Sequence, residues 1–401
     1  MNARRAVPIK FSGPVKPRKL KSPDPINMPV VRDNKAQRVR SDVVYYKANG
    51  ELPRVEPNWT AMSEYYQIPG HTANGGVDSV DVNGDIMAVM SSATNTVYIF
   101  KKDVNGDYQQ TDSTSQSGGD YSDIHLMPVE GKVVYSAPLS NSNEGRLVAM
   151  DLDFTTGILD QASRTVYPLS TGRDNSYDGR GIISIGNTLF SGAPGYYLSS
   201  ASARGGLLSF RDPASGALKP LDVSYLGGLN ESNNHVFGNR IYNEDGLFAN
   251  TLATDGNRLL VLAPGAASLN TADNGYISVF DYDDTNQSLT EIQKIDNPAL
   301  PQYAGTQASI RAIAALNGKM LALLNVGGPD NDYDPLRTSL VEYIWDGSAY
   351  NQSGWSDVVL SPDWTANSTD SAIAHMTMLS DTELLIPGTN ISGGKIYKVT
   401  R

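Results

Sequence analysis

LATDGNRLLVLAPGAASLNTADNGYISVFDYDDTNQSLTEIQKI, running from Leu252 to Ile295, reads as four short strands with turns between them. Thr254-Asp255-Gly256-Asn257 is a turn, and Arg258–Ala263 is a nearly continuous apolar run stopped by Pro264-Gly265. After a polar loop and Asn274-Gly275, Tyr276–Tyr282 alternates its side chains. A last turn around Asp284–Ser288 precedes Leu289–Ile295. Short apolar runs bounded by Gly, Asn, Asp and Pro are strand signals. One such sheet cannot cover both of its faces alone, so a repeat of the unit decides the fold.

The unit recurs. Val82-Asn83-Gly84-Asp85 leads to Ile86–Met90 and Val97–Lys101; Glu130-Gly131-Lys132 leads to Val133–Ala137 and Arg146–Leu152. Ile185-Gly186-Asn187 leads to Thr188–Phe190 and Gly206–Phe210. Asn317-Gly318-Lys319 leads to Met320–Leu324 and Leu340–Trp345, and Ser380-Asp381-Thr382 to Leu384–Ile386 and Lys395–Thr400. The turn positions fall at 84, 131, 186, 256, 318 and 381, roughly 45 to 70 residues apart, within or somewhat above the period of propeller repeats. The pattern predicts an all-β fold: a single β-propeller of six blades, with seven allowed by the long gap between Gly186 and Gly256. The innermost strands are expected at Gly76–Val82, Ile124–Pro128, Gly181–Ile185, Asn250–Thr254, Ile310–Leu316 and Ile373–Leu379.

Length and composition agree. A chain of 401 residues exceeds one compact core, and a ring of sheets answers that with several small ones. With only 19% charged residues, it is not a charge-driven disordered chain. There is no cysteine, which removes disulfides, thiolate metal sites and a Cys nucleophile. No apolar run approaches ~18 residues, so no membrane span is expected. Arg4-Arg5 has no apolar stretch behind it, so no signal peptide is expected.

Residues 1–42 form a different kind of segment. They hold eleven Lys/Arg (Arg4, Arg5, Lys10, Lys16, Arg18, Lys19, Lys21, Arg32, Lys35, Arg38 and Arg40) against three Asp, net +8, and leave 21 basic and 40 acidic residues, net −19, on the remainder. Pro8, Pro14, Pro17, Pro23, Pro25 and Pro29 exclude a helix and favour extended geometry. The segment is read as a basic, Pro-rich arm that binds a partner through those cations. Residues 43–401 are the propeller. Its last copy has no residues left for a fourth strand, so residues 43–56, with Val43–Lys47 as the strand and Ala48-Asn49-Gly50 as the turn, are expected to supply it and close the ring.

Gly192-Ala193-Pro194-Gly195, Ala263-Pro264-Gly265, Phe237-Gly238 and Asp81-Val82-Asn83-Gly84-Asp85 resemble the FG-GAP repeat of integrin alpha-subunit propellers and their bacterial relatives, over roughly residues 70–401. The resemblance implies calcium loops, with acidic residues in register with a Gly. Asp81/Asn83/Asp85 and Asp103/Asn105/Asp107 are read as hairpin turns ahead of calcium loops. The Asp330, Asp332, Asp334 run is the calcium candidate, because closely spaced carboxylates repel without a cation. No other cofactor is called for.

A catalytic constellation is not visible. Of His71, His125, His235 and His375, only His125 and His375 share a register, six residues before their turns. Both are expected near the axis, with no acidic residue at an equivalent place. No Gly-x-Ser-x-Gly elbow, phosphate loop or dinucleotide fingerprint occurs. The expected function is therefore a non-catalytic structural protein, not an enzyme. In organisation it is similar to components of bacteriophage short tails: a virion protein, assembled in the host cytoplasm, acting as tail nozzle or attachment apparatus. That implies portal, adaptor, tail or capsid subunits as partners, a homo-oligomer, and passing contact with DNA or a host-surface glycan. The alternatives are a carbohydrate-binding propeller lectin, using Tyr196, Tyr197, Tyr333, Trp345, Tyr350, Trp355 and Trp364, and a lactonase-like hydrolase.

Overall fold

The computed structural model describes residues 29–32, 35–38, 59, 62–69, 71, 76–91, 93–115, 123–137, 146–168, 181–193, 206–211, 234–236, 240–243, 251–263, 276–286, 288–296, 308–327, 333–358, 375–388 and 394–401. The chain divides into two units, Met1–Val55 and Glu56–Arg401. In the first, strands β1 (Pro29–Arg32) and β2 (Lys35–Arg38) pair as an antiparallel hairpin, Pro29 opposite Arg38. The basic segment thus includes a paired stretch, where an extended arm was expected throughout.

The second unit opens with β3 (Met62–Gln67) and continues through a series of antiparallel sheets, with no helix among the described residues. The first sheet runs β4 (Ser79–Asn83), β5 (Ile86–Ser91), β6 (Thr96–Lys102), β7 (Tyr108–Ser115), and the second β8 (Ile124–Met127), β9 (Lys132–Ser136), β10 (Arg146–Asp153), β11 (Ile158–Pro168). The third comprises β12 (Ile182–Ile185), β13 (Thr188–Ala193), β14 (Gly206–Arg211), β15 (Asn234–Val236) and β16 (Arg240–Asn243) in the order β12-β13-β14-β16-β15. The fourth is β17 (Thr251–Asp255), β18 (Arg258–Ala263), β19 (Tyr276–Asp283), β20 (Ser288–Asp296). The fifth is β21 (Ala308–Leu316), β22 (Lys319–Gly327), β23 (Tyr333–Trp345), β24 (Tyr350–Val358). The last is β25 (Thr377–Ser380), β26 (Glu383–Pro387) and β27 (Lys395–Thr400), completed by β3.

This is a β-propeller. Five sheets are four-stranded and one is five-stranded among the described residues. The first strand of each sheet touches the first strand of the next, and β25 touches β4, so the series closes on itself. Five of the expected turn glycines, at 84, 131, 186, 256 and 318, adopt the left-handed backbone, with φ between 54° and 79°. That conformation explains why glycine recurs at this position. The long stretch between Gly186 and Gly256 adds a strand to the third sheet.

The apolar runs are continuous because each sheet is covered on both faces. All six residues of β5 are buried. Leu321, Leu323 and Leu340 pack with Leu384, Ile386 and Tyr397 between the fifth and last sheets, and Leu260, Leu262 and Ile277 with Met320, Ala322 and Val341 between the fourth and fifth. The last and first sheets share Leu385, Ile396, Val80 and Val89. Polar ties accompany the apolar contacts. Buried Glu342 accepts hydrogen bonds from Arg401 Nη1 (2.9 Å) and Ser353 Oγ (2.9 Å), with Lys319 Nζ at 3.6 Å.

The closing strand is a correction in position. Val43–Pro53 lies outside the described residues. The strand that pairs with β27 is β3, with Val399 opposite Met62 and Lys395 opposite Gln67. Its burial rhythm, one buried residue, two exposed, two intermediate, one exposed, repeats in the outermost strands β7 and β20. A register shift marks its junction with β27 between Ile396 and Tyr397, as one marks β6–β7 between Ile99 and Phe100 and β19–β20 between Val279 and Phe280. Such bulges bend the outer strand away from the flat ladder.

The closure yields a prediction. A chain beginning at Glu56 should unfold cooperatively with a Tm within a few degrees of the full chain. One beginning at Ile68 loses β3 and the buried Trp59, and its Tm should fall by ~10 °C or more, with aggregation through the bared edge of β27. Differential scanning calorimetry on the two chains decides it, and equal Tm values would refute the role given to β3.

Candidate functional site in the central channel

The inner strands converge on a cavity of about 340 Å³ lined by residues of all six sheets, among them Asp81, His125, Ile183, Ala253, Ala314 and Thr377, with His375 beside them. Most inner-strand positions are apolar because they face neighbouring sheets. Asp81 in β4, His125 in β8 and Ser184 in β12 are polar residues set into those runs, and the ring brings them together.

Asp81 is the anchor. Its Oδ1 accepts the Val82 amide (2.8 Å), and its Oδ2 accepts the Leu126 amide (2.8 Å) and His125 Nδ1 (2.8 Å). Thr377 Oγ1 reaches Oδ1 at 3.5 Å, and His375 Nε2 stands 4.0 Å from it. Burial alone would raise this carboxyl. The hydrogen bond and charge of His125, the charge of His375 and the Leu126 amide outweigh it and hold the group at about 2. An ionised carboxylate only accepts hydrogen bonds, so Nδ1 of His125 carries the proton. In the neutral ring the lone pair is then on Nε2, which is 2.7 Å from Ser184 Oγ. The serine hydroxyl therefore donates to a base that an acid residue orients, the arrangement that activates a nucleophile.

A second carboxylate lies behind the first. Asp123 is fully buried. It accepts hydrogen bonds from Ser79 Oγ (2.7 Å), the Ile124 amide (2.8 Å) and the Ile182 amide (2.7 Å), clamping the inner strands of the first three sheets. Burial raises it to about 6 against the opposing pull of His375 and of these donors. Two neighbouring carboxyls are thus driven in opposite directions, a frequent property of working sites.

The sequence places the two axial histidines correctly: the rings of His125 and His375 lie 6.4 Å apart, tilted by 44°. It did not find the partners of His125: Asp81 supplies a carboxylate from a different register, and Ser184 Oγ sits against Nε2. Both oxygens of Asp81 accept hydrogen bonds from the protein itself. Asp103 Oδ1 accepts the amides of Asn105 (2.8 Å) and Asp107 (3.0 Å), the hairpin-turn reading. Asp330 and Asp332 lie outside the described residues, and Asp334 falls in β23. No group of three His, Cys, Asp or Glu suited to a metal ion occurs among the described residues.

The other expected residues separate. His71 Nε2 donates to Ser91 Oγ (2.8 Å), which itself donates to the Gly76 carbonyl, and burial pushes the imidazole below its ordinary value. His235 falls in β15. Of the aromatic residues proposed to hold sugars, Tyr350 is buried with its hydroxyl on Asp255, Trp345 stacks beneath Arg258 at 4.2 Å, and Trp355 packs against the core. Tyr333 falls in β23, and Tyr196, Tyr197 and Trp364 lie outside the described residues. Of the basic arm, Arg32, Lys35 and Arg38 fall in β1 and β2, and the rest lie outside the described residues. In the FG-GAP-like segments, Ala193 ends β13 and Ala263 ends β18, with the following Pro-Gly pairs outside the described residues.

No family model matches the chain, and no curated protein does. Among solved structures it is similar to a luciferin-regenerating enzyme (12% identity, TM-score 0.49, covering 84% of this chain and 94% of that one). It is similar to the PQQ-bound aldose sugar dehydrogenase of Streptomyces coelicolor (13%, 0.46, 85% and 98%). A candidate 6-phosphogluconolactonase of Bacteroides fragilis is a third (11%, 0.40, 70% and 70%). At these identities the likeness is one of chain trace. The expectation that this chain is no enzyme is corrected on its premise: a carboxylate, an imidazole and a hydroxyl, Asp81, His125 and Ser184, do meet in one hydrogen-bonded series.

The two carboxyls predict a stability profile. Asp81, held below its ordinary 3.8, stabilises the fold above pH ~4, and that contribution is lost as pH falls towards 2. Asp123, raised above 3.8, has the opposite sign: its contribution is complete below pH ~4 and is lost as pH rises through 6. Each is worth about 2 to 3 kcal/mol. Thermal melts from pH 2 to 8 should show Asp123→Asn flattening the loss between pH 4 and 6 and Asp81→Asn flattening the acid limb. A slope between pH 4 and 6 unchanged in Asp123→Asn would refute the assignment.

Proposed function

We propose that the chain is a propeller hydrolase that cleaves a carboxylic ester or lactone in the central channel, with Ser184 as nucleophile, His125 as general base and Asp81 as its orienting anion. The single observation that carries this is the continuous hydrogen-bond series from Asp81 Oδ2 through His125 to Ser184 Oγ, 2.8 and 2.7 Å. We count the five-stranded sheet as a blade, making six.

In the proposed reaction, Ser184 Oγ attacks the acyl carbon while its proton passes to His125 Nε2. The imidazolium so formed sits on the Asp81 carboxylate, which needs no proton of its own. Collapse of the tetrahedral adduct breaks the bond to the leaving oxygen, which takes the proton from His125. Water then adds to the acyl-serine, its proton going to His125, and the acid leaves as Ser184 recovers its hydrogen. Substitution of any of the three removes a different part of this series.

The test is covalent labelling. A fluorophosphonate probe should leave one adduct on the wild-type chain, located at Ser184 by peptide mass spectrometry, and none on Ser184→Ala. Turnover of p-nitrophenyl acetate should fall by roughly three to four orders of magnitude in Asp81→Asn. Absence of an adduct in folded wild-type protein would end the reading.

A second reading concerns the basic segment and rests on charge alone: residues 1–42 carry +8 against −19 on the remainder. The segment would tether the ring to acidic grooves of neighbouring subunits, as in a phage tail or attachment apparatus, a role compatible with catalysis in the ring. Light scattering of the full chain and of residues 43–401 should show an oligomer only for the former, weakening between 50 and 300 mM salt. Identical monomers would remove it.

A further inference from the structure

Taking the hydrolase reading as its basis, we infer that the substrate is an uncharged ester or lactone with a short apolar acyl group, and that the channel discriminates against anionic substrates. Apart from His125 and His375, the ionisable groups on the cavity wall are of one sign. Asp81 and Asp255 line it, and among the described residues no Lys or Arg does. Asp255 is matched by Arg258 Nη2 (2.6 Å) and by the Gly318 amide (3.0 and 3.1 Å), and Asp81 by His125, so neither presents a free cation partner to a ligand. A carboxylate or phosphate on the substrate would meet two carboxylates whose own partners are already engaged and no lysine or arginine on the wall to receive it, inside a unit of net negative charge.

The shape of the cavity points to what does fit. Ala253, Ala314 and Ala315 come from adjacent inner strands and leave room that larger side chains would fill. Ile183, Met376 and Met378 supply the apolar surface, the methionines adapting to different acyl shapes. A volume near 340 Å³ stands at the small end of ligand pockets. Asp81, His125 and His375 form one polar part of the lining, where the reacting carbonyl would lie, and the alanines and methionines offer the acyl chain an apolar one.

The experiment compares kcat/KM for p-nitrophenyl butyrate and for the p-nitrophenyl monoester of succinate, of similar length but anionic. The wild-type chain, Ser184→Ala and Asn83→Lys are measured. Asn83 is an exposed residue at the rim of the cavity. The wild-type chain should prefer the butyrate by tenfold or more. Asn83→Lys should cut that preference at least threefold, with the gain on the succinate ester lost in 0.5 M salt. Equal or faster cleavage of the succinate ester by wild type, still dependent on Ser184, overturns the charge inference while leaving the hydrolase reading intact. No cleavage of either ester, or cleavage that survives in Ser184→Ala, overturns both.

Discussion

A sheet such as the first one, whose second strand is buried at every position, presents two apolar faces and stands alone on neither side. Each face can be covered only by a neighbouring sheet with the same need. A linear stack would always leave two ends bare, and bending the stack until its ends meet removes them. The apolar clusters between successive sheets, including the one joining the last sheet to the first, are this requirement met at each junction. At the junctions the side chains are mostly Leu, Ile, Val and Met, while polar ties such as Glu342 with Arg401 sit at specific points and fix register between sheets.

The same geometry makes the channel. Inner strands from all around the ring approach the axis, and the few that carry a polar residue in place of an aliphatic one deliver it to a common place. Asp81, His125 and Ser184 are separated along the chain by 44 and 59 residues, yet lie within hydrogen-bonding distance. A polar side chain in such a strand is costly unless satisfied. The series Asp81–His125–Ser184 satisfies three at once, with the serine the least buried of them. Asp123 performs a complementary task, tying three inner strands together with one carboxyl through two backbone amides and the Ser79 hydroxyl.

Much of this architecture was legible in the residues. The turn glycines and the apolar runs that follow them marked the repeat, since a hairpin needs a left-handed position and a strand buried on both faces needs unbroken hydrophobicity. The closing strand was not, because the outermost position in a sheet is half exposed: Met-Ser-Glu-Tyr-Tyr-Gln carries far less apolar signal than Val43–Lys47, which looked the better candidate. The axial histidines could be found because they share a spacing to their turns. Their acid and hydroxyl partners sit at other offsets, and nothing local in Ser-Val-Asp-Val-Asn or Ile-Ile-Ser-Ile announces that they meet. The one clue is the polar residue inside inner strands such as Ile-His-Leu-Met and Ile-Ile-Ser-Ile, which becomes informative only once the strands are arranged around an axis.

The pairing of β3 with β27 has a consequence for how the molecule comes into being. Ser63 and Lys398, which meet in that pair, are 335 residues apart. On a ribosome, the sheets in between can form hairpin by hairpin as they emerge, but the first-made strand waits with its edge unsatisfied until the very late strand is synthesised. Over those 335 residues the nascent ring is an open arc, so the interval before closure is when a chaperone, or an identical arc on a neighbouring ribosome, has its chance to bind.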